Sequence, residues 1–405
     1  MLLRKSSGSL VLALKNSWRL AAHPWIAHKL VKLEFEKRFF NLLHLGHDNG
    51  LARKIRQVSF RITDVCNLRC HTCGQWGDSG FLHGRSLKDL KKQEVPPARY
   101  FEVLADLVRH GHEPTVYFWG GEPMLYEGLL DLIDGATSLG LPVAIATNGT
   151  GIASSAGRLA GAPLFLLQVS IDGHSAGLHN RVRPSAGGGD NFRDIIAGLE
   201  EVRAARKARR SNLPVIAALT TISQPNLPHL ADIYETFRNK VDVFVFYLSW
   251  WIDEERAAAH ERDFERRFGF RPVKHRGWIG NWKLTDHGLL DRQIKTVLAR
   301  AKALRAPSVN LIPFITGLKD LEVYYTDHRA NFGFNQCVSI YQAVEINSNG
   351  DMSPCRDYHD YVVGNIKDAT ITELWNSPAY REFRRSLRRE GLMPVCSRCC
   401  GLMGY

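Results

Sequence analysis

From residue 58 the chain alternates short apolar runs with helix-like stretches, and that alternation admits few folds. The runs are Val58–Val65, Thr115–Trp119, Pro142–Thr147, Leu164–Ile171, Pro214–Ile222 and Val241–Leu248. Between them lie helix-like segments such as Arg99–His110, Leu125–Ala136, Phe192–Arg206 and Leu230–Arg238. Near-continuous apolar strands joined by crossovers predict an α/β fold with a parallel sheet, open or curled into a partial barrel. Ligands of such sheets gather at the carboxyl ends of the strands. Every motif described below falls at such an end.

The cysteines narrow the chemistry. Of eight, three lie at Cys66, Cys70 and Cys73, and the rest at Cys337, Cys355, Cys396, Cys399 and Cys400. Two tight groups in a chain of 405 residues are unlike the scattered cysteines of a small disulfide scaffold, and predict two metal or cluster sites. With 44% hydrophobic and 23% charged residues the chain forms cores and is far from a disordered composition. It contains no run of 18 apolar residues, which excludes a spanning helix. Leu10–Leu14 is too short for a signal peptide and Lys15 interrupts it, so a cytoplasmic protein is expected.

The pattern divides the chain into four parts. Residues 1–56 are a basic leader, with helices expected around Leu30, Leu33, Phe35, Phe39, Phe40, Leu42 and Leu43. It reads as a helical cap on the main domain, with peripheral membrane contact as the alternative. Residues 57–249 carry the strand–helix alternation. Residues 250–336 break it, with Trp250, Trp251, Trp278 and Trp282 amid charges, and read as a bridging insert. Residues 337–405 form a small cysteine-bearing module. The net charge of +12 suits an acidic partner, and no aromatic-and-basic motif of RNA-binding type occurs, so no nucleic acid is expected.

Arg61-Ile62-Thr63-Asp64-Val65-Cys66-Asn67-Leu68-Arg69-Cys70-His71-Thr72-Cys73 places three thiols in a loop after the first strand. Three thiolates can hold three irons of a four-iron four-sulfur cluster and leave the fourth iron open to a substrate. A zinc site would want a fourth protein ligand, for which His71 is the candidate. Cys66, Cys70 and Cys73 match C-x-x-x-C-x-x-C, and here the chain resembles the radical S-adenosylmethionine (radical SAM) enzymes. Trp119-Gly120-Gly121-Glu122-Pro123 is similar to the family's GGE motif, where the backbone meets the methionine amino group. Thr147-Asn148-Gly149 and Ser170-Ile171-Asp172-Gly173 follow at the next strand ends, as in the family. The resemblance implies that Asn148 and Ser170 lie near the ribose or carboxylate, and that Arg183, or Arg181, takes the carboxylate. It departs from the family at Thr72, where an aromatic residue is common, which leaves adenine packing to another residue such as Trp76.

Val344–Asp351 reads as strand, tight turn, strand, a hairpin able to bring Cys337 and Cys355 together. Cys396 and Cys399 supply a C-x-x-C pair, so the module could hold zinc or a fully ligated cluster. The arrangement resembles the C-terminal auxiliary-cluster modules of the superfamily, SPASM and its shorter relative Twitch. Gly364-Asn365-Ile366 and Ile371–Asn376 look like the segment those modules carry between their cysteine groups. The few cysteines make it closer to Twitch, implying one auxiliary iron–sulfur cluster on Cys337, Cys355, Cys396 and Cys399. Cys400 is either a substitute ligand or a spare thiol.

The resemblance implies a partial (βα)6 barrel with a small SPASM/Twitch-like domain. It also implies an enzyme that reductively cleaves S-adenosylmethionine and abstracts a substrate hydrogen, fed by a flavodoxin or ferredoxin. The expected substrate is a small polar metabolite such as a sugar, aminocyclitol or cofactor precursor. A peptide is the alternative, and a metal-stabilised basic adaptor the non-enzymatic one. Tyr247, Asp253, His260, Glu345 and Asp357 are candidate acids or bases, with Glu345 and Asp357 singled out by their place beside the hairpin.

Overall fold

The computed structural model describes residues 24–43, 49–280, 283–304 and 307–403. One ten-stranded sheet runs through them in the order β10-β9-β8-β1-β2-β3-β4-β5-β6-β7, with β10 at Gly364–Asn365. The six parallel strands expected from the sequence are β1 (Gln57–Thr63), β2 (Thr115–Gly120), β3 (Val143–Thr147), β4 (Leu166–Ser170), β5 (Val215–Ile222) and β6 (Val243–Leu248). A seventh, β7 (Ser308–Ile312), pairs in parallel with β6, so the bridging segment continues the alternation it was expected to break. Its register runs Val243↔Ser308 to Tyr247↔Ile312. The signal was weak because Ser308 and Asn310 interrupt the apolar run.

Side-chain alternation sorts each strand into two faces. Val58, Phe60, Ile62, Val116, Phe118, Val143, Ile145, Leu167, Val169, Ile216, Phe244 and Phe246 are buried against the outer helices. Those helices bring matching stripes: Val103, Leu104 and Leu107 from Pro97–Arg109, Leu132 and Ile133 from Leu129–Ser138, and Ile195 and Leu199 from Asn191–Ala208. The opposite parity (Ser59, Arg61, Tyr117, Trp119, Gln168, Ser170 and Tyr247) points into the barrel. This inner face is polar and aromatic toward the carboxyl ends of the strands, and aliphatic at their start.

The C-terminal module grows out of the same sheet. β8 (Ala343–Ile346) pairs in parallel with β1, and β9 (Asp351–Ser353) turns back antiparallel through Gly350, at φ +93°. Two buried arginines lash the module on without a carboxylate partner. Arg384 donates to the carbonyls of Gly50 and Ile340 and lies 4.0 and 4.1 Å from the Tyr380 and Trp375 rings. Arg398 donates to the carbonyls of Tyr324, Asp327 and Ala330. Trp375 and Asn376 also grip the carbonyl of Ala52, so residues 49–56 are bolted to this module.

The leader contributes helix α1 (Pro24–Leu43). Ile26 is fully buried among Leu213, Val215, Ala217, Val243 and Val245, where it plugs the amino-terminal end of the barrel. Lys29 anchors the helix by donating to the Gly140 carbonyl at 2.6 Å. Among the described residues no helix is long and apolar enough to cross a membrane. Deleting a buried branched side chain forfeits transfer free energy and leaves a cavity. Ile26→Ala should therefore destabilise the fold by about 2–4 kcal/mol, read from the denaturant midpoint. A change near zero would mean that α1 does not seal the barrel.

Candidate functional site

A buried carboxylate stitches the carboxyl ends of β2 and β3. Glu122 is fully buried and accepts from Thr147 Oγ1 at 2.6 Å, the Asn148 N–H at 2.6 Å and the Met124 N–H at 3.0 Å. Burial pushes its carboxyl upward, against the pull of those three donors. Gly120 and Gly121 lie against the loop leaving β1, donating from Gly121 and Glu122 to the carbonyls of Thr63 and Val65 at 2.8 Å. A Cβ on Gly120 would meet Thr63 O at 2.3 Å, and one on Gly121 would meet Val65 O at 2.2 Å, so both must be glycine. The motif's N–H groups are thus engaged, and an ammonium group would be met by carbonyl oxygens.

Asn148 is a brace. Its Nδ2 donates to Asn67 Oδ1 at 2.8 Å and its Oδ1 accepts from Thr150, while Asn67 donates back to Thr150 Oγ1. It therefore fixes the loop between Cys66 and Cys70. Ser170 stands half-buried on the inner face at the end of β4.

The three thiols are held in partly compensated surroundings. Cys66 Sγ accepts from the Leu68 N–H at 3.4 Å and Cys73 Sγ from the Trp76 N–H at 3.3 Å. Arg183 donates Nε to Asp172 at 2.6 Å and reaches Cys70 Sγ with Nη1 at 3.6 Å. Asp172 is itself fully buried and accepts the Thr221 N–H at 2.8 Å. Arg181 is exposed, so Arg183 is the arginine at the site. Burial pushes the Cys70 thiol up to about 11 despite Arg183, and pushes Cys66 upward as well. The thiolates this loop needs are stabilised only when a metal takes their protons' place. His71, the candidate fourth zinc ligand, is exposed, and the loop remains a three-thiol site.

One reading of tryptophan is corrected. Trp76 is 3% exposed, its Nε1 donates to the Asp64 carbonyl, and Arg69 lies 4.1 Å over its ring. It supports the cluster loop from beneath and does not offer a face to adenine. Trp278, from the bridging segment, instead lies against that loop, since a Cβ on Gly74 would meet its ring at 2.5 Å. Trp250 packs on Trp278 at 4.6 Å between centroids. Sequence spacing had no way to bring residue 278 to residue 74.

Inside the barrel, Glu345 projects from β8 beside Ser59. Arg356 Nε lies 3.9 Å from its carboxylate and its guanidinium lies 5.0 and 5.5 Å over the rings of Tyr117 and Trp119. Burial pushes Glu345 up to about 7, against the pull of Arg356 and of hydrogen bonds from Ser59 and Trp119. Tyr247 shares this face. The other acid–base candidates sit elsewhere. Asp253 caps the helix Glu254–Phe268 through the Arg256 N–H. His260 is fully buried against His275, Phe264 and Tyr358, and burial pushes it down to about 3. Asp357 accepts from Cys399 Sγ at 2.8 Å, which places it among the C-terminal thiols.

Cys337, Cys355, Cys396 and Cys399 line one apolar cavity with Phe264, Tyr358 and Met393. Burial pushes Cys337 up to about 11 and Cys396 to about 12. The side chain of Cys400 lies outside the described residues.

Comparison with known proteins agrees with this geometry. Residues 60–232 match the radical SAM superfamily and residues 337–400 the SPASM iron–sulfur cluster-binding domain. The chain belongs to the radical SAM superfamily. This radical SAM chain is 27% identical to a pre-heme d1 synthase of Dinoroseobacter shibae over 84% of its own length and 78% of the relative's. It is 26% identical to an AdoMet-dependent heme synthase of Oleidesulfovibrio alaskensis, over 85% and 80%. In structure it resembles SuiB of Streptococcus suis bound to S-adenosylmethionine, with a TM-score of 0.57, 16% identity, and 83% and 69% of the two chains covered. The protein is thus an enzyme, not a passive adaptor, and its cofactors are a four-iron four-sulfur cluster, S-adenosylmethionine and auxiliary iron–sulfur binding by the SPASM domain.

Metal content separates the two cysteine groups. Reconstituted without oxygen and with no zinc supplied, the protein should carry about eight irons in clusters, and the Cys66/Cys70/Cys73→Ala variant about four. Elemental analysis checks this; four irons with one zinc in the unaltered protein would make the C-terminal site a zinc knuckle.

Proposed function

We propose that this radical SAM enzyme modifies a haem-type cofactor precursor, a conjugated molecule bearing carboxylates, held inside the barrel. The observation that carries the reading is the inner-face constellation of Arg356, Tyr117, Trp119 and Glu345. A guanidinium braced on two aromatic rings suits a carboxylate attached to a flat apolar body. The relatives that align over most of both chains are haem-forming synthases by name, which supports the same class. The peptide alternative rests on a shared fold at 16% identity, and no feature of the barrel favours it.

The thiols of Cys66, Cys70 and Cys73 would hold the activating cluster, with Gly120, Gly121 and Glu122 shaping the wall toward the methionine moiety. Cys337, Cys355, Cys396 and Cys399 would hold one auxiliary cluster. When bound, these groups supply the electron that cleaves S-adenosylmethionine, the 5′-deoxyadenosyl radical that removes a substrate hydrogen, and a site for electron exchange. The chain's own residues do the rest. Arg183 balances charge beside Cys70, Trp250 and Trp278 exclude water from the cluster loop, and Glu345 takes or gives the substrate proton. A carboxyl poised near 7 suits that task, because both of its forms are populated at neutral pH. An acidic electron carrier such as a flavodoxin or ferredoxin, in the cytoplasm, fits the net charge of +12.

Carboxylate-bearing tetrapyrroles should raise the yield of 5′-deoxyadenosine while peptides leave it unchanged; stimulation by peptides alone would transfer the reading to the peptide class. Arg356→Leu should raise KM for the tetrapyrrole at least about tenfold, one lost charge-assisted contact. Glu345→Gln should suppress product but spare S-adenosylmethionine cleavage. The same variant carries a pH signature. With a folded pKa raised to about 7, protonated Glu345 favours the native state below the ordinary carboxylate range, and that contribution is lost as pH rises through 7. Relative to Glu345→Gln, the unaltered protein should lose stability between about pH 4.5 and 7 and then level off. Parallel stability curves would show that Glu345 titrates normally.

A further inference from the structure

At the carboxyl ends of β4 and β5, outside the thiol loops and the barrel interior, three side chains converge without a role in the chemistry above. His174 follows Gly173 in the loop after β4, His229 ends the loop after β5, and Asp232 lies in the first turn of the helix Leu230–Phe237. One ligand atom from each lies within 4.8 Å of the other two, the only such set of three His, Cys, Asp or Glu among the described residues. The imidazole rings stand 4.7 Å apart between centroids, and His229 Nδ1 lies 3.0 Å from Asp232 Oδ2. His174 Nδ1 is buried and has no hydrogen-bond partner. A buried ring nitrogen left unpaired is costly, and native structures rarely keep one without a reason such as an ion.

The frame beneath the cluster is rigid. Asn226 is fully buried and clamps the two loops together. Its Nδ2 donates to the carbonyls of Asp172 at 3.3 Å and Thr221 at 2.9 Å, and its Oδ1 accepts the Ser223 N–H. The His229 N–H closes the turn on the Asn226 carbonyl at 2.9 Å. Gly173 presses so closely on His179 that a Cβ would meet its backbone nitrogen at 2.4 Å. Both histidines are therefore presented from one buried scaffold, as a preorganised ligand set requires.

We propose that His174, His229 and Asp232 form a binding site for one divalent transition-metal ion of the zinc type on the barrel rim. Two imidazole nitrogens and one carboxylate oxygen favour zinc, nickel, cobalt or ferrous iron over magnesium or calcium, which prefer oxygen shells. Three protein donors leave at least one position to water. The ion would bind two residues from Asp172, which holds Arg183 against Cys70, and so would tie the rim to the cluster loop through buried contacts. Its role is to lock that rim, and no step of the radical chemistry depends on it.

The test uses the iron-reconstituted holoenzyme, freed of loosely bound metal and titrated with zinc sulfate. About one zinc per chain should bind beyond the iron, and the zinc absorption edge should show a nitrogen and oxygen shell near 2.0–2.1 Å. His174→Ala and His229→Asn should each weaken zinc binding at least about tenfold while leaving iron content unchanged. Unchanged iron content also certifies that these variants are folded, and His174→Gln serves in place of a variant that loses iron. Zinc retained at full affinity in these variants, a sulfur shell near 2.3 Å, or no zinc bound at ten micromolar would each overturn the proposal.

Discussion

The carboxylate of Glu122 is the point on which the site hangs. It is buried, it lies at the end of β2, and it collects a hydroxyl and an N–H from the end of β3. The glycines before it let the loop from β1 come within backbone hydrogen-bond distance, and that loop carries the first three thiols. Three strand ends are thereby locked into one rigid rim. A group so placed cannot be exchanged for its amide without setting a donor against a donor, so the motif is as much architecture as ligand contact. The Asn67–Thr150–Asn148 triangle repeats the device one layer out, and the Asp172–Arg183–Cys70 chain extends it to β4.

Charge is managed here by burial and partnership. Seven described thiols sit in two groups, and at Cys66, Cys70, Cys337, Cys355 and Cys396 desolvation opposes ionisation until metal binds. The buried guanidiniums of Arg384 and Arg398 are held by carbonyls and aromatic faces and serve to join segments distant in sequence. Inside the barrel, by contrast, Arg356 and Glu345 face one another at 3.9 Å, and Glu345 is left near the point of titration. Glu122 and Asp172, which build the rim, each accept several hydrogen bonds, whereas Glu345 faces the interior with its carboxyl near the point of titration. Such a division is expected where a rigid scaffold holds a reactive centre.

Much of this was legible before any coordinates. The six parallel strands follow from apolar runs of strand length separated by helix-length crossovers, and the two metal centres follow from cysteine spacing. The β8–β9 hairpin follows from Asn349-Gly350-Asp351 between apolar residues. Other features were hidden. β7 escaped because two of its five residues are polar and point inward. Asp357 and Glu345 looked equivalent beside one hairpin, yet the former meets Cys399 and the latter Ser59, because β8 pairs with β1 and the loop after β9 turns away.

What the sequence determined by itself is local and covalent: which residues can be strand or helix, and which thiols lie within one loop. Those properties depend on side-chain period and spacing along the chain, and they survive without knowledge of neighbours. Tertiary structure alone decided that Trp278 covers Gly74, that Ile26 plugs the barrel, that Asn148 braces a loop, and that His174 and His229 stand side by side. Each of these pairs residues far apart in sequence, and only the closing of the sheet and the docking of its connections bring them within contact range.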